Sequence, residues 1–274
     1  AAERQLAAAR VAAAGTARFI ERTGELLAAL AARPGAAAMG RDGCDPEFAT
    51  FLAQHRDYAN LLLVDADGRL RCSAQPLALD RPARLGPRYM LDLAREARGL
   101  VIGRPEFGFV SGRWVAPVVL PLRDAGGGFL GFIGPSIDLA RLRPSGAPGL
   151  LLADGEGLVL AAGEDADPPP GAHLESAILA ALEAAAGRDW SLVEHAGAPP
   201  RLVARAPVTG TGWFVLASAD AAPLRATAWR DGFLAAALFL AVLLLGLRLA
   251  RRLEAAVAVP LGRLGESFAA LARG

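Results

Sequence analysis

Leu61-Leu62-Leu63-Val64-Asp65-Ala66-Asp67-Gly68-Arg69-Leu70-Arg71-Cys72 is the stretch that decides how the chain is read. Two apolar runs flank a tetrad that closes on Asp-Gly, the pattern of a β-hairpin. Asp65 and Asp67 alternate as in a calcium loop. The other ligand positions of such a loop are absent, so the acidic pair reads as turn chemistry. The same pattern returns 89 residues later, Leu63 to Leu152, as Leu152-Ala153-Asp154-Gly155-Glu156-Gly157.

Working outward, the neighbourhood of the hairpin also returns. Residues 46–57 read as a short amphipathic helix around Phe48, Phe51 and Leu52. After the irregular, Pro- and Arg-rich residues 76–88, a helix is expected over Tyr89 to Arg98, ended by Gly99. Strands follow at Leu100 to Ile102, Arg113 to Leu122 and Phe129 to Ile137. A hairpin over Arg123 to Gly128 joins the last two. Around the second hairpin the order is a helix over Leu174 to Ala186, then strands over Trp190 to Glu194, Arg201 to Ala206 and Trp213 to Ser218. Pro121-Leu122 recurs as Pro207-Val208, and Asp138 and Asp220 each close the last strand of their unit. Two copies of one module are expected in tandem, jointed at Pro144 to Pro148.

A long helix precedes both copies. Leu6, Ala13, Ile20 and Leu27 recur every seven residues, with Ala9, Thr16, Thr23 and Leu30 three residues further on. This heptad seam serves packing along the helix's own domain, pairing with a second copy, or both. Pro34-Gly35 is expected to end the helix. Near the other end, Gly232 to Leu247 (GFLAAALFLAVLLLGL) carries no charge. Arg230 and Asp231 bracket it on one side, and Arg248, Arg251 and Arg252 on the other. Extended by Leu249 and Ala250, it reaches the roughly 20 residues that cross a bilayer. The Arg cluster puts the following tail in the cytoplasm and residues 1 to about 228 outside, in a bacterial periplasm or its equivalent. Export of that region implies a first membrane helix before residue 1, and the chain reads as the middle of a longer protein. In the tail, Leu253, Val257, Leu261, Leu264, Phe268 and Leu271 form a coiled-coil seam interrupted by Pro260. The expected segments are 1–33 (long helix), 34–143 and 144–222 (the two modules), 230–250 (membrane helix) and 251–274 (coiled-coil helix). The fold class is α+β with antiparallel sheets.

Composition narrows function. The net charge is +1, which supplies no field for nucleic acid. All 29 basic residues are Arg, so Schiff-base chemistry on Lys is excluded. Cys44 and Cys72 are the two cysteines. In an oxidising compartment a lone pair bridges, contributing roughly 3.5 kcal/mol by closing its loop; two free buried thiols are the alternative. These cysteines and His55, His173 and His195 match no familiar metal-ligand spacing. No cofactor is expected.

The order of these features resembles the double Cache sensor domain, a tandem of PAS-like modules behind a long helix. The residues that carry the resemblance are Tyr58-Ala59-Asn60-Leu61, Asp65-Ala66-Asp67-Gly68, Cys72-Ser73-Ala74, Val101-Ile102-Gly103, Ser111-Gly112-Arg113, Leu120-Pro121-Leu122-Arg123-Asp124 and Ile137-Asp138-Leu139. The tail Pro260-Leu261-x-x-Leu264, with Leu271-Ala272-x-Gly274, resembles the first helix of a HAMP signalling module. The resemblance implies a homodimeric receptor of the bacterial inner membrane: a histidine kinase, a diguanylate cyclase or a chemoreceptor. Its membrane-distal module would bind a small molecule, a carboxylate or amino acid. Arg88 beside Tyr89 falls where the family places an Arg that meets a ligand carboxylate, with Arg81-Pro82 as a rival register. Asp138 stands where an acidic residue meets a ligand amine. Phe107 and Trp114 are expected on the wall, with Arg104 adding charge. The family's full amino-acid recognition pattern is not present.

Two other readings compete. A membrane-anchored hydrolase is opposed by the lack of GxSxG, HExxH or a Ser-His-Asp set around the scattered histidines, so no catalytic residue is expected in this chain. A protein that only dimerises is permitted by the heptads at both ends. A pocket in the distal module separates it from a sensor.

Overall fold

The computed structural model describes residues 2–37, 44–76, 88–108, 110–164, 166, 168–185, 187–194 and 199–253. The expectations for Arg81-Pro82 and for the tail beyond Leu253 fall outside these residues. The chain divides into two compact units, the first ending at Asp220 and the second starting at Ala221.

The first unit opens with α1 (Ala2–Ala31). Seven of the eight residues of the heptad seam are buried, Leu6 excepted, and Ala12 joins them. They pack against the protein's own sheets, so the first of the two heptad readings holds for this seam. Thr16 and Thr23 fit the apolar stripe because each hydroxyl donates to the carbonyl four residues earlier, Ala12 at 3.1 Å and Phe19 at 2.8 Å. Pro34 does more than end α1: it opens a second short helix, α2 (Pro34–Ala37), at a position where its missing N–H costs nothing. Then come α3 (Glu47–Gln54), β1 (Tyr58–Asp65), β2 (Leu70–Ser73), α4 (Tyr89–Glu96), β3 (Val101–Ile102), β4 (Glu106–Gly108), β5 (Arg113–Arg123) and β6 (Phe129–Asp138). They form one sheet in the order β2-β1-β6-β5-β3, with β4 also paired to β5.

The second half repeats the layout: β7 (Leu150–Ala153), β8 (Val159–Ala162), α5 (Ser176–Ala184), β9 (Trp190–Val193), β10 (Arg201–Pro207) and β11 (Phe214–Asp220). Its sheet runs β8-β7-β11-β10-β9, the same order as the first. All pairings in both sheets are antiparallel.

The hairpins explain the repeated acidic motif. Asp65 Oδ1 accepts from the N–H groups of Asp67 (3.0 Å) and Arg69 (2.9 Å). Asp154 Oδ1 does the same for Glu156 (3.0 Å) and Leu158 (2.9 Å). Gly68 and Gly157 close the two turns at φ of 78° and 86°, a conformation that only Gly adopts without strain. These acidic oxygens are thus spent on their own backbone, as a turn requires.

Side-chain alternation along the strands divides the core. Leu61, Leu63, Ala116, Val118, Ile133 and Ile137 of the first sheet join Leu150, Leu152, Val215 and Ala217 of the second against α1. The opposite face of the first sheet packs Val64, Val119 and Phe132 on Met90 and Ala94 of α4. That of the second packs Leu151, Val203, Phe214 and Leu216 on Ile178 and Leu182 of α5. Cys44 and Cys72 are joined in a disulfide with Cα atoms 5.3 Å apart, an ordinary separation.

The second unit contains α6 (Ala222–Leu253). Its stretch Gly232–Arg252 is long and apolar enough to cross a bilayer, and its side chains are exposed throughout. The helix starts well before the apolar run. Pro223 sits in its first turn, where proline is accommodated.

Candidate ligand-binding site

The cavity lies in the first sheet's module, between the sheet face and α4. Its volume is about 90 Å³. Leu62 from β1, Val115, Pro117 and Val119 from β5, and Phe132 from β6 make the apolar floor, with Met90 and Leu91 of α4 above. Asn60, Ser111, Ser136, Asp67, Arg88 and Glu106 add polar groups.

Three features of the sequence open this space. Gly134 lies in β6 opposite Leu62, and a Cβ there would run into the Val118 carbonyl and the Val119 backbone. In the second sheet the matching position, opposite Leu151, is Leu216, which is fully buried against α5. One module therefore carries a large side chain where the other carries none. Next, Pro117 sits in a central strand, where proline is normally excluded. Its carbonyl accepts from Gly103 N at 2.7 Å, between the end of β3 and the start of β4. The missing N–H thus faces a gap in the ladder rather than a strand. Last, Gly103 is bare: a Cβ would meet the Met90 sulfur, Pro117 Cγ at 2.7 Å and the Tyr89 hydroxyl at 3.1 Å.

Of the residues expected at the site, the structure places Arg88 on the cavity wall, in the turn before α4. Its side chain forms no ion pair with a described residue. Tyr89 is half-buried beside the cavity, and its hydroxyl donates to the Arg104 carbonyl at 3.3 Å. Burial and the nearby negative charge of Glu106 push the Tyr89 hydroxyl up to about 12, so it remains a donor at any physiological pH. Arg104 is exposed and points to Glu156, 3.9 Å away in the second module's hairpin. Phe107 and Trp114 face each other across β4 and β5, edge to face with centroids 6.3 Å apart, and turn outward at 61% and 49% exposure.

Asp138 is 1% exposed and lies off the wall. Its carboxylate accepts from Arg113 at 2.7 Å and from Ala140 N at 3.1 Å, with Arg141 at 3.6 Å. Of the six expected ligand residues, the cavity lining thus takes up Arg88.

Glu106 was missed by sequence reasoning. The register Glu106↔Val115 and Phe107↔Trp114 turns Glu106 inward and its neighbour outward. Burial raises its carboxyl above the ordinary value. Its signal was a three-residue strand, too short to show a period.

No family model and no curated protein sequence matches the chain. Solved structures do. The ligand-binding domain of the Campylobacter jejuni chemoreceptor Tlp3, in complex with 4-methylisoleucine, superposes with a TM-score of 0.63 at 15% identity, over 80% of this chain and 90% of that one. The extracellular domain of the putative histidine kinase rpHK1S-Z16 gives 0.59 at 16% identity, over 77% and 91%. The ligand-binding domain of the Pseudomonas fluorescens chemoreceptor CtaA, in complex with L-isoleucine, gives 0.56 at 17% identity, over 80% and 92%. The chain has the fold of these receptor sensory domains, the double Cache fold that the sequence motifs resembled.

Proposed function

We propose that this chain is the sensing and membrane-anchoring region of a bacterial receptor, and that the cavity under α4 binds a small organic carboxylate through Arg88. The observation that carries the reading is a mostly apolar cavity with, on its wall, the Arg88 guanidinium, which forms no ion pair with a described residue. Concave apolar sites with a few placed polar groups are the usual form of small-molecule sites. The planar fork of Arg suits bidentate capture of a carboxylate. Chemoreceptor domains of the same fold are solved with amino acids. The cavity volume corresponds to roughly six to nine waters, and so to a ligand with about that many non-hydrogen atoms.

In this reading α6 crosses the inner membrane through Gly232–Arg252, with Arg251 and Arg252 on the cytoplasmic side and the sheets outside. The chain then passes binding inward rather than performing chemistry itself. A homodimer belongs to the proposal as well. Because the heptad seam is buried, pairing along α1 would run over its outer face, where Val11 is 63% exposed.

The test is a thermal-shift screen of the full chain in detergent against amino acids and small organic acids. A ligand at 100 times its dissociation constant adds about 2.7 kcal/mol, a shift of several degrees. Arg88→Ala abolishes the shift if the reading is right. A hit that survives Arg88→Ala rejects it.

A further inference from the structure

We propose a second ligand site, separate from the cavity under α4, that takes a small anion with an apolar body, an aromatic carboxylate being the simplest form. It lies between α1 and the stretch where the chain leaves β6 for the second module, and its volume is about 250 Å³. Ile137 belongs to the face of the first sheet that packs on α1, and no lining residue is shared with the cavity under α4.

The wall divides by exposure. Ala12, Thr16 and Phe19 of α1, Ile137 of β6 and Leu142 beyond it make a floor of buried and half-buried residues. Thr16 adds little polarity to that floor, because its hydroxyl donates to the Ala12 carbonyl at 3.1 Å. Asp57, Arg141 and Arg143 make the rim, and all three are exposed. Neither guanidinium is held by a hydrogen bond to a described carboxylate. Arg113 takes the near oxygen of Asp138 at 2.7 Å, and Arg141 comes no closer to it than 3.6 Å, beyond hydrogen-bond reach. Arg143 forms no ion pair with a described residue. Two guanidiniums against one carboxylate leave the rim net positive. A positive rim over an apolar floor selects an anion that carries its charge at one end.

Gly15 is an independent observation. It sits inside α1, where glycine is destabilising relative to alanine. A Cβ there would meet nothing within 4 Å, so no neighbour excludes a side chain. Gly24, the other glycine of α1, differs: its Cβ would touch Leu100 at 3.5 Å. The bare backbone of Gly15 lines the cavity and keeps it open along the helix, one turn from Phe19. An occupant would touch α1, the end of β6 and the connection between the modules at once.

The experiment is a fluorine NMR titration of the full chain in detergent with para-fluorobenzoate and with para-fluorobenzamide, which keeps the ring without the charge. The acid is expected to bind about five- to tenfold tighter than the amide, a modest factor because both guanidiniums are exposed. Arg143→Gln should bring the acid down to the level of the amide. Gly15→Leu, which puts a side chain into the space, should remove both probes while melting no lower than wild type. Asp57→Asn should tighten the acid by removing the opposing charge. Binding that survives Gly15→Leu overturns the proposal. So does acid binding that is lost in Arg88→Ala and kept in Arg143→Gln, because that places the probe under α4. Weaker acid binding in Asp57→Asn overturns the assignment to an anion. If neither probe binds wild type, this site fails while the reading of the cavity under α4 stands.

Discussion

The Tyr58 hydroxyl lies 2.7 Å from the Thr23 hydroxyl and ties the first strand of the first sheet to the seam of α1. Thr23 is fully buried and already donates to the Phe19 carbonyl, so Tyr58 supplies the proton of the shared bond. The Tyr58 ring stacks between Phe19 and Phe51, with centroids 5.8 and 5.3 Å away. Burial holds the phenol above its ordinary value, so it stays protonated. Tyr58→Phe keeps the ring and removes only this bond. It should cost about 1 kcal/mol, or roughly 2–4 °C in melting temperature. Combined with Thr23→Val, the loss should be less than the sum of the single losses. Additive losses in scanning calorimetry would mean that the two hydroxyls do not share a bond.

Glu106 predicts a pH signature in the ligand-free protein. Its folded-state carboxyl is raised above the unfolded value of about 4.3. Below that value both states hold the proton, and the residue costs nothing. As pH rises through the raised value, the folded state must ionise a desolvated group and stability is lost. Glu106→Gln should therefore melt like wild type at about pH 4 and above it toward neutrality. Arg88 and Tyr89 on α4, Asp67 on the hairpin and Arg104 before β4 are common to both proteins, so the difference isolates Glu106. A constant offset across the range would refute this account.

The seam of α1 predicts a sharp contrast between the helix's buried and exposed faces. Leu27 is fully buried, and Leu27→Ala should cost about 2–5 kcal/mol through the cavity it leaves. Val11 lies on the outer face, and Val11→Ala should stay within about 0.5 kcal/mol. Equal effects in denaturant melts would contradict the packing described.

The disulfide predicts a loss on reduction. Opening the Cys44–Cys72 loop should lower stability by roughly 3.5 kcal/mol through the freedom it returns to the unfolded chain. The paired variant Cys44→Ser with Cys72→Ala should melt below the oxidised wild type and close to the reduced one. No difference between oxidised and reduced protein would remove the bridge from the stability account.

How much of this was legible depends on the range of the interaction. The hairpins were readable because Asp65 and Asp154 act on N–H groups two and four residues away. The α1 seam was readable as a seam, but its partner was not. A heptad looks the same whether it meets a sheet or a second copy. Arg88 was singled out by the family resemblance, as an Arg beside an aromatic at that helix, and it lines the cavity. Glu106 was not, because β4 contributes three residues and its inward direction is set by pairing with β5. The openness of the cavity depends on Gly134 and Pro117 meeting neighbours distant in sequence. The start of α6 at Ala222 escaped notice because hydropathy reports where a helix is greasy, not where it begins.

One feature of the fold also sets the order in which the molecule can be finished. α1 bonds Asp189 through Arg10 near its start and Tyr58 through Thr23 nearer its end, so its two halves serve different sheets. The helix is made before both sheets, yet the strands that cover its leading half, β10 and β11, are made last of all the described sheet elements. Until then a stripe of Ala9, Ala12 and Ala13 waits for its cover. The small side chains on that stripe suit the delay: a nascent helix that shows alanine instead of leucine offers little for a stray chain to grasp.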